Sequence, residues 1–190
     1  MPLPIAHSLI SAAVFVTYKR GLSIRDDLKG LALFAFAGLF PDIDFITVPF
    51  TGFGGHRGVT HSFAFAFVAA AILYMVVSYI RRKKESRLWL FLFIAMAVHP
   101  LCDFFTYDYL VERGGVMLFY PFSQSYFESP VSIFMGIELR YLETILSLHT
   151  LQAVIREALL SGLVLVAAIY LKTGSLRRVF DARRSDIEES

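Results

Sequence analysis

Cysteine is almost absent from this chain: its 190 residues contain one, Cys102. A single thiol excludes an intrachain disulfide framework and a closed zinc site of paired thiolates, so packing, or metal held by other ligands, must hold the fold. Charge is scarce as well. Only 18% of residues are charged and the formal net charge is +2. With the basic residues confined to short clusters, this excludes the broad cationic surface that nucleic-acid binding requires. The sequence has no internal repeat and no low-complexity tract. What fills it is apolar: 56% of residues are hydrophobic and the mean hydropathy is +0.61, against the roughly 45–50% apolar content of soluble domains. A bilayer is the solvent this composition suits.

The apolar runs predict an all-α fold, a polytopic membrane bundle of about five transmembrane helices. Val59 to Ile80, Leu88 to Thr106 and Leu151 to Leu171 are each close to the ~20 residues that cross ~30 Å of hydrocarbon. Arg156 and Glu157, near the start of the last, are expected at the interface or facing the protein interior. Leu3 to Thr17 and Leu28 to Phe40 are shorter and must lie against the others. The first of these lacks a basic n-region and a small-residue cleavage signature, so it reads as a retained span. Ser129 followed by Pro130 reads as a helix start. Val131, Phe134, Ile137, Tyr141, Ile145 and Leu148 then recur at helical spacing, which predicts an amphipathic surface helix between the fourth and fifth spans. Before it, Leu118 to Phe127 is aromatic enough for the headgroup zone. Residues 1–173 form the expected membrane domain, and 174–190 a polar tail.

Orientation follows from Lys and Arg, which are retained on the cytoplasmic side. Lys19, Arg20, Arg25 and Lys29 flank one loop, Arg81, Arg82, Lys83, Lys84 and Arg87 fill another, and Lys172, Arg177, Arg178, Arg183 and Arg184 occupy the tail. The opposite loops hold Arg57, Arg113 and Arg140. The N-terminus is therefore expected outside a prokaryotic cell membrane and the C-terminus in the cytoplasm.

That topology gathers the unusual residues. All five histidines, His7, His56, His61, His99 and His149, fall on the outer side, as do Asp42, Asp44 and Asp103. His99 and Asp103 stand four apart on one helix face. Pro41 stops the second span and leaves Asp42 and Asp44 on irregular backbone. Thr60 is the expected cap of the third span, with His61 in its first turn, and Gly58 lets His56 fold back to the same point. Singly, each has an ordinary reading: a hydrogen-bonded pair, a helix stop, an interfacial loop. His149 reads as interfacial, Cys102 as packed and Glu143 as solvated. Together, imidazoles and carboxylates at one level of a membrane protein point to a metal site, with zinc or another transition ion suited to the ligands.

At these positions the chain resembles the YdjM-like family of membrane-bound metal-dependent hydrolases. The resemblance rests on His7, Pro41-Asp42-Ile43-Asp44, the run His56-Arg57-Gly58-x-Thr60-His61-Ser62, His99-x-x-x-Asp103 and Pro121-Phe122-Ser123, and covers about the first 125 residues. The His-x-x-x-Asp helix is also similar, more distantly, to that of zinc-dependent phospholipase C. These resemblances imply one or more divalent ions that activate water against a phosphoester. They imply Asp44, His56, His61, His99 and Asp103 as ligands, with His7 and Asp42 also in the metal set. Asp42 would bridge ions, orient a histidine or act as general base. Arg57 would hold an anionic oxygen. A site between helix ends beside an aromatic segment suits a membrane lipid or another amphiphilic phosphoester as substrate. The competing function is a metal-ion transporter. Its polar path should continue inward, yet the inner halves of the third and fourth spans, Ala69 to Ile80 and Leu88 to Val98, carry no ionised residue.

Overall fold

The computed structural model describes residues 3–23, 26–46, 50, 56–106, 114–137 and 141–175. Its helices are α1 (Pro4–Tyr18), α2 (Leu28–Leu39), α3 (Phe63–Arg81), α4 (Ser86–Phe104), α5 (Leu142–Ile145) and α6 (Leu148–Thr173), with 3-10 turns at Phe40–Ile46 and Val59–His61. All five predicted spans are helical. Three of them, α3, α4 and α6, are long and apolar enough to cross a membrane. At ~1.5 Å per residue the 15 residues of α1 reach only about 22 Å, so it is sheltered by its neighbours.

Local chemistry sets the helix ends. Pro4 occupies the first turn of α1, where its missing N–H costs nothing. Ser62 caps α3 by accepting from the Phe65 amide at 3.1 Å, and Ser147 caps α6 by accepting from Thr150 at 3.2 Å. Gly174 closes α6 at φ +67°, its N–H donating to the Tyr170 carbonyl at 2.8 Å. The cap of α3 is thus Ser62 rather than Thr60, and His61 lies in the preceding 3-10 turn rather than inside the helix.

α1 packs against α2, α4 and α6, and α3 closes the bundle against α4. Phe15, Phe34, Leu92 and Met96 fill the core between them. Outward, α6 exposes Leu151, Ile155, Leu159 and Leu163, and α3 exposes Phe67, Ile72 and Met75. In an aqueous protein such faces would demand partners; here they are the lipid-facing side. α2 approaches α1 so closely at Gly38 that a Cβ there would overlap the Ser11 hydroxyl and the His7 carbonyl. This contact leaves the Gly38 carbonyl turned toward α4.

The segment after α4 departs from expectation. Ser129 does not start a helix: its hydroxyl closes a local turn with Val131. Amides of Ser129, Ile133 and Phe134 instead donate to the Phe104 and Phe105 carbonyls at 2.8–3.2 Å. The carbonyls at the C-terminus of a helix need donors. Here those non-local bonds hold the segment extended where its side-chain spacing alone favours a helix. Among the described residues the expected surface helix survives only as the single turn of α5. Its portion at 138–140, with Glu138 and Arg140, lies outside the described residues, as do Arg113 and the tail from 176.

The start of α1, the end of α2, the start of α3, the end of α4 and the start of α6 meet at one end of the bundle. At the other end Lys19 pairs with Asp27 at 2.7 Å, and Lys172 reaches the Thr17 carbonyl. The histidines with Asp42, Asp44 and Asp103 thus collect at one pole, and Lys19, Lys29, Arg81, Lys83 and Lys172 at the other.

Candidate metal centre

Four donor atoms lie at the heart of the first pole. Nε2 of His61 and Nε2 of His99 are 3.1 Å apart. Oδ1 of Asp42 is 3.4 Å from the first and 3.2 Å from the second. Oδ2 of Asp103 is 3.2 Å and 3.4 Å from the same two atoms. Both imidazoles are fully buried and Asp103 nearly so.

The ring tautomers follow from the outer partners. Nδ1 of His99 lies 2.7 Å from the Gly38 carbonyl, which only accepts, so this nitrogen carries the proton and Nε2 presents a lone pair. Thr60 donates its hydroxyl to Asp44 Oδ2 at 2.9 Å, so it accepts from His61 Nδ1 at 3.0 Å and again leaves Nε2 as the lone pair. Two lone pairs and two carboxylate oxygens facing one another repel unless a cation or protons lie among them. Neither Asp42 Oδ1 nor Asp103 Oδ2 has a hydrogen-bond partner among the described residues. Corners of a tetrahedron with ~2.0–2.1 Å bonds lie about 3.3–3.4 Å apart. The spacings of 3.1–3.4 Å between histidine and histidine and between histidine and carboxylate are close to this, and the donor set fits a divalent cation.

Other residues hold these donors in place. Arg57, fully buried and in the left-handed region at φ +63°, donates from Nη2 to Asp103 Oδ1 at 2.9 Å and from Nη1 to the Thr106 carbonyl at 3.3 Å. Its own carbonyl accepts from Met117. A non-glycine residue in that conformation is strained, and the contacts on both its ends offset the strain. Asp44 takes His56 Nδ1 on one oxygen at 3.0 Å and Thr60 on the other. Burial opposes ionisation of Asp42 and Asp44, but the neighbouring histidines outweigh it and hold both carboxyls well below the usual range. Burial likewise opposes a charge on His61, yet the carboxylates of Asp103, Asp42 and Asp44 raise its pKa well above 6.5, so that without a cation a proton takes its place on Nε2.

Two groups of ligating side chains are assembled: His7, His99 and Asp103 in one, Asp42, His56 and His61 in the other. Asp44 lies one contact further out than expected of a ligand, bonded to His56 and Thr60. The Arg57 guanidinium engages Asp103 and a carbonyl where the sequence suggested an anionic oxygen. His149 is at the same pole but away from the cluster, with Nε2 2.9 Å from the Gly136 carbonyl. Glu143 is exposed and Cys102 is packed.

Sequence spacing missed the Gly38 carbonyl and the Thr60 hydroxyl, since neither has a signature outside the fold. It left Glu157 undecided between interface and interior. Glu157 turns inward, fully buried, with both carboxylate oxygens 2.8 Å from the Leu3 N–H at the start of α1, one turn from His7. Its neighbour Arg156 is exposed.

The model of the YdjM inner membrane protein family matches residues 1–179. The chain belongs to that family. It is also similar to the inner membrane protein YbcI of Escherichia coli (strain K12), 30% identical over 138 residues that cover 68% of this chain and 73% of the relative. No solved structure matches it, so the likeness to zinc-dependent phospholipase C rests on the His99 and Asp103 spacing alone. The YdjM membership and the three apolar helices make this an inner-membrane protein with a His and Asp cluster able to hold metal.

Proposed function

We propose that this YdjM family member is a membrane-embedded, metal-dependent hydrolase that cleaves a phosphoester of a lipid or other amphiphile at the extracytoplasmic surface. The observation that carries the reading is the buried meeting of two imidazoles with two carboxylate oxygens that have no hydrogen-bond partner among the described residues. His61, His99, Asp42 and Asp103 are the inner donors that would hold divalent metal, and zinc suits this mixture of nitrogen and oxygen donors. When bound, such an ion supplies Lewis acidity, lowering the pKa of water toward ~7 and offsetting charge on a phosphoryl group.

The chain's own residues divide the remaining work. Asp42 is the most accessible of the four, its side chain 14% exposed against 0–1% for the others. Water and substrate therefore approach from its side, and its carboxylate is the group placed to take a proton from water. Arg57 is a positioning residue: by occupying Asp103 Oδ1 it keeps Oδ2 turned to the centre. Thr60 and Asp44 fix the His61 ring, and Gly38 fixes that of His99. Ile46, Val59, Phe119 and Phe122 are exposed on the turns at this pole, an apolar rim suited to the tails of an amphiphile.

The transporter reading finds less support. One turn or so below the centre Phe34, Ala95 and Met96 are fully buried and apolar, closing the way inward among the described residues. The test is release of phosphate or headgroup from defined lipids by the purified protein and by Asp42→Asn. Hydrolysis by the wild type that is lost in the variant supports the reading, whereas bound metal in the wild type without hydrolysis across lipid classes contradicts it. The side of the membrane is tested by a periplasmic reporter fused to the C-terminus, which the basic clusters predict to be inactive.

A further inference from the structure

A centre built on four donor atoms leaves two buried histidines unexplained. His7, on α1, is fully buried and neither ring nitrogen has a hydrogen-bond partner among the described residues. Its ring stacks on that of His99 with centroids 3.8 Å apart. His56 is 1% exposed. Its Nδ1 is bonded to Asp44, which leaves Nε2 buried with no such partner, and its ring meets that of His61 edge-on at 4.8 Å. A polar atom buried in this way pays its full desolvation unless something binds it. The two rings lie on opposite flanks of the cluster. His7 joins His99 and Asp103, and His56 joins Asp42 and His61; within each triad the ligating atoms lie within 4.8 Å of one another.

We infer that the centre takes two divalent cations per chain, one held by His7, His99 and Asp103 and the other by Asp42, His56 and His61. This rests on reading the cluster as a metal centre, and adds the number of ions and the role of the two flanking histidines. Three considerations carry it. Two ions engage one nitrogen each of His7 and His56 together with the inner oxygens of Asp42 and Asp103, whereas one four-coordinate ion at the inner atoms leaves both flanking histidines without a ligand. One ion with four protein ligands is also a closed site of the structural kind, while three ligands per ion leave positions open for water and substrate. Charge agrees as well. Asp42, Asp44 and Asp103 against Arg57 leave two net negative charges, which one dication merely cancels. Two dications turn the site into a positive pocket suited to a phosphoester.

The triads stand on separate scaffolds, which makes the inference testable piecewise. One is carried by α1 and α4, the other by the turns Phe40–Ile46 and residues 56–61. The full chain, stripped with chelator in detergent micelles, is titrated with Zn²⁺ and dialysed, and bound metal is measured by mass spectrometry against protein concentration. Co²⁺ titration followed by visible absorption gives the same count independently. The expected result is two equivalents in the wild type, and one in each of His7→Ala and His56→Ala. One equivalent in the wild type, unchanged in His7→Ala, overturns the two-ion assignment while leaving the metal centre itself intact. No bound metal overturns both. Two equivalents that survive in both variants, or vanish together in each, overturn the division into triads. Should His7→Ala fail to fold, the wild-type count decides the number of ions and His7→Gln replaces the variant.

Discussion

Nε2 of His61 and Nε2 of His99 face one another 3.1 Å apart, each made a lone pair by what its other nitrogen touches. The two rings come from different elements, a 3-10 turn and the last turns of α4, and each is aimed by a backbone or hydroxyl group that the chain supplies for that purpose. Mutating those outer groups should therefore weaken metal binding without removing a ligand.

Thr60 is the cleanest case. In Thr60→Val the hydroxyl that links His61 Nδ1 to Asp44 is lost while side-chain volume is nearly kept. Removal of such an orienting partner typically lowers metal affinity ~10–100-fold. Competition with a calibrated chelator should find a loss in that range, with Thr60→Ser close to wild type. Equal affinity in Thr60→Val would mean the His61 ring is oriented by something else.

Arg57 is predicted to be intolerant of replacement. Arg57→Ala leaves Asp103 buried without its cation, a change that costs about 3–5 kcal/mol where a buried pair loses one partner. Arg57→Lys keeps the charge but not the fork that reaches both Asp103 and the Thr106 carbonyl, and should fall between. Unfolding in detergent of metal-free protein reads the stability. The same three proteins should rank identically in metal affinity, because Asp103 Oδ2 loses its fixed direction.

Much of this centre was legible in the amino-acid order. The spacing of His99 and Asp103 places both on one helix face, Pro41 ends α2 where Asp42 is needed, and the basic clusters put every histidine at one pole. Harder to read were contributions that depend on irregular backbone. Asp44 looks like a ligand beside Asp42, yet a two-residue step on a 3-10 turn sends it outward to Thr60 and His56. Arg57 looks available to an anion until its left-handed backbone turns it onto Asp103. Ser129 and Pro130 carry a helix-start signal, but the carbonyls ending α4 take the amides that a helix would have used. In each case a long-range bond overrides a local preference, and nothing in the local sequence announces the partner.

Gly38 is predicted to be as sensitive as a ligand. Gly38→Ala puts a methyl into the Ser11 hydroxyl and the His7 backbone carbonyl, so α2 must move away from α1 and its carbonyl away from His99 Nδ1. Overpacking of this kind typically costs about 1–3 kcal/mol. Thermal unfolding should fall accordingly and metal affinity with it. Wild-type values for both would show that the helices tolerate separation.

The pH dependence has a definite sign. Asp42 and Asp44 titrate well below their ordinary 3.8, so their contribution to the stability of the metal-free protein is present above that value and is lost as acid reaches their lowered range. His61 titrates well above 6.5, so its contribution is complete below 6.5 and is lost as the pH rises through its raised value. The metal-free protein is thus most stable in the weakly acidic range between. Metal must expel the His61 proton, so affinity should climb from pH 6 to pH 8. Thermal shift with and without Zn²⁺ across that range measures the difference. A metal-induced stabilisation that shrinks as pH rises would contradict the protonation scheme.

The measurement that bears most directly on the centre compares metal content in purified wild type, His61→Ala and His149→Ala, each expressed and washed identically. Both histidines lie at the same pole of the bundle, but His61 faces His99, Asp42 and Asp103 while His149 bonds a carbonyl elsewhere. The prediction is bound divalent metal in the wild type and in His149→Ala, and a loss of at least tenfold in His61→Ala. Metal content that is equal in all three, or absent from the wild type after loading, would contradict a metal centre at this cluster.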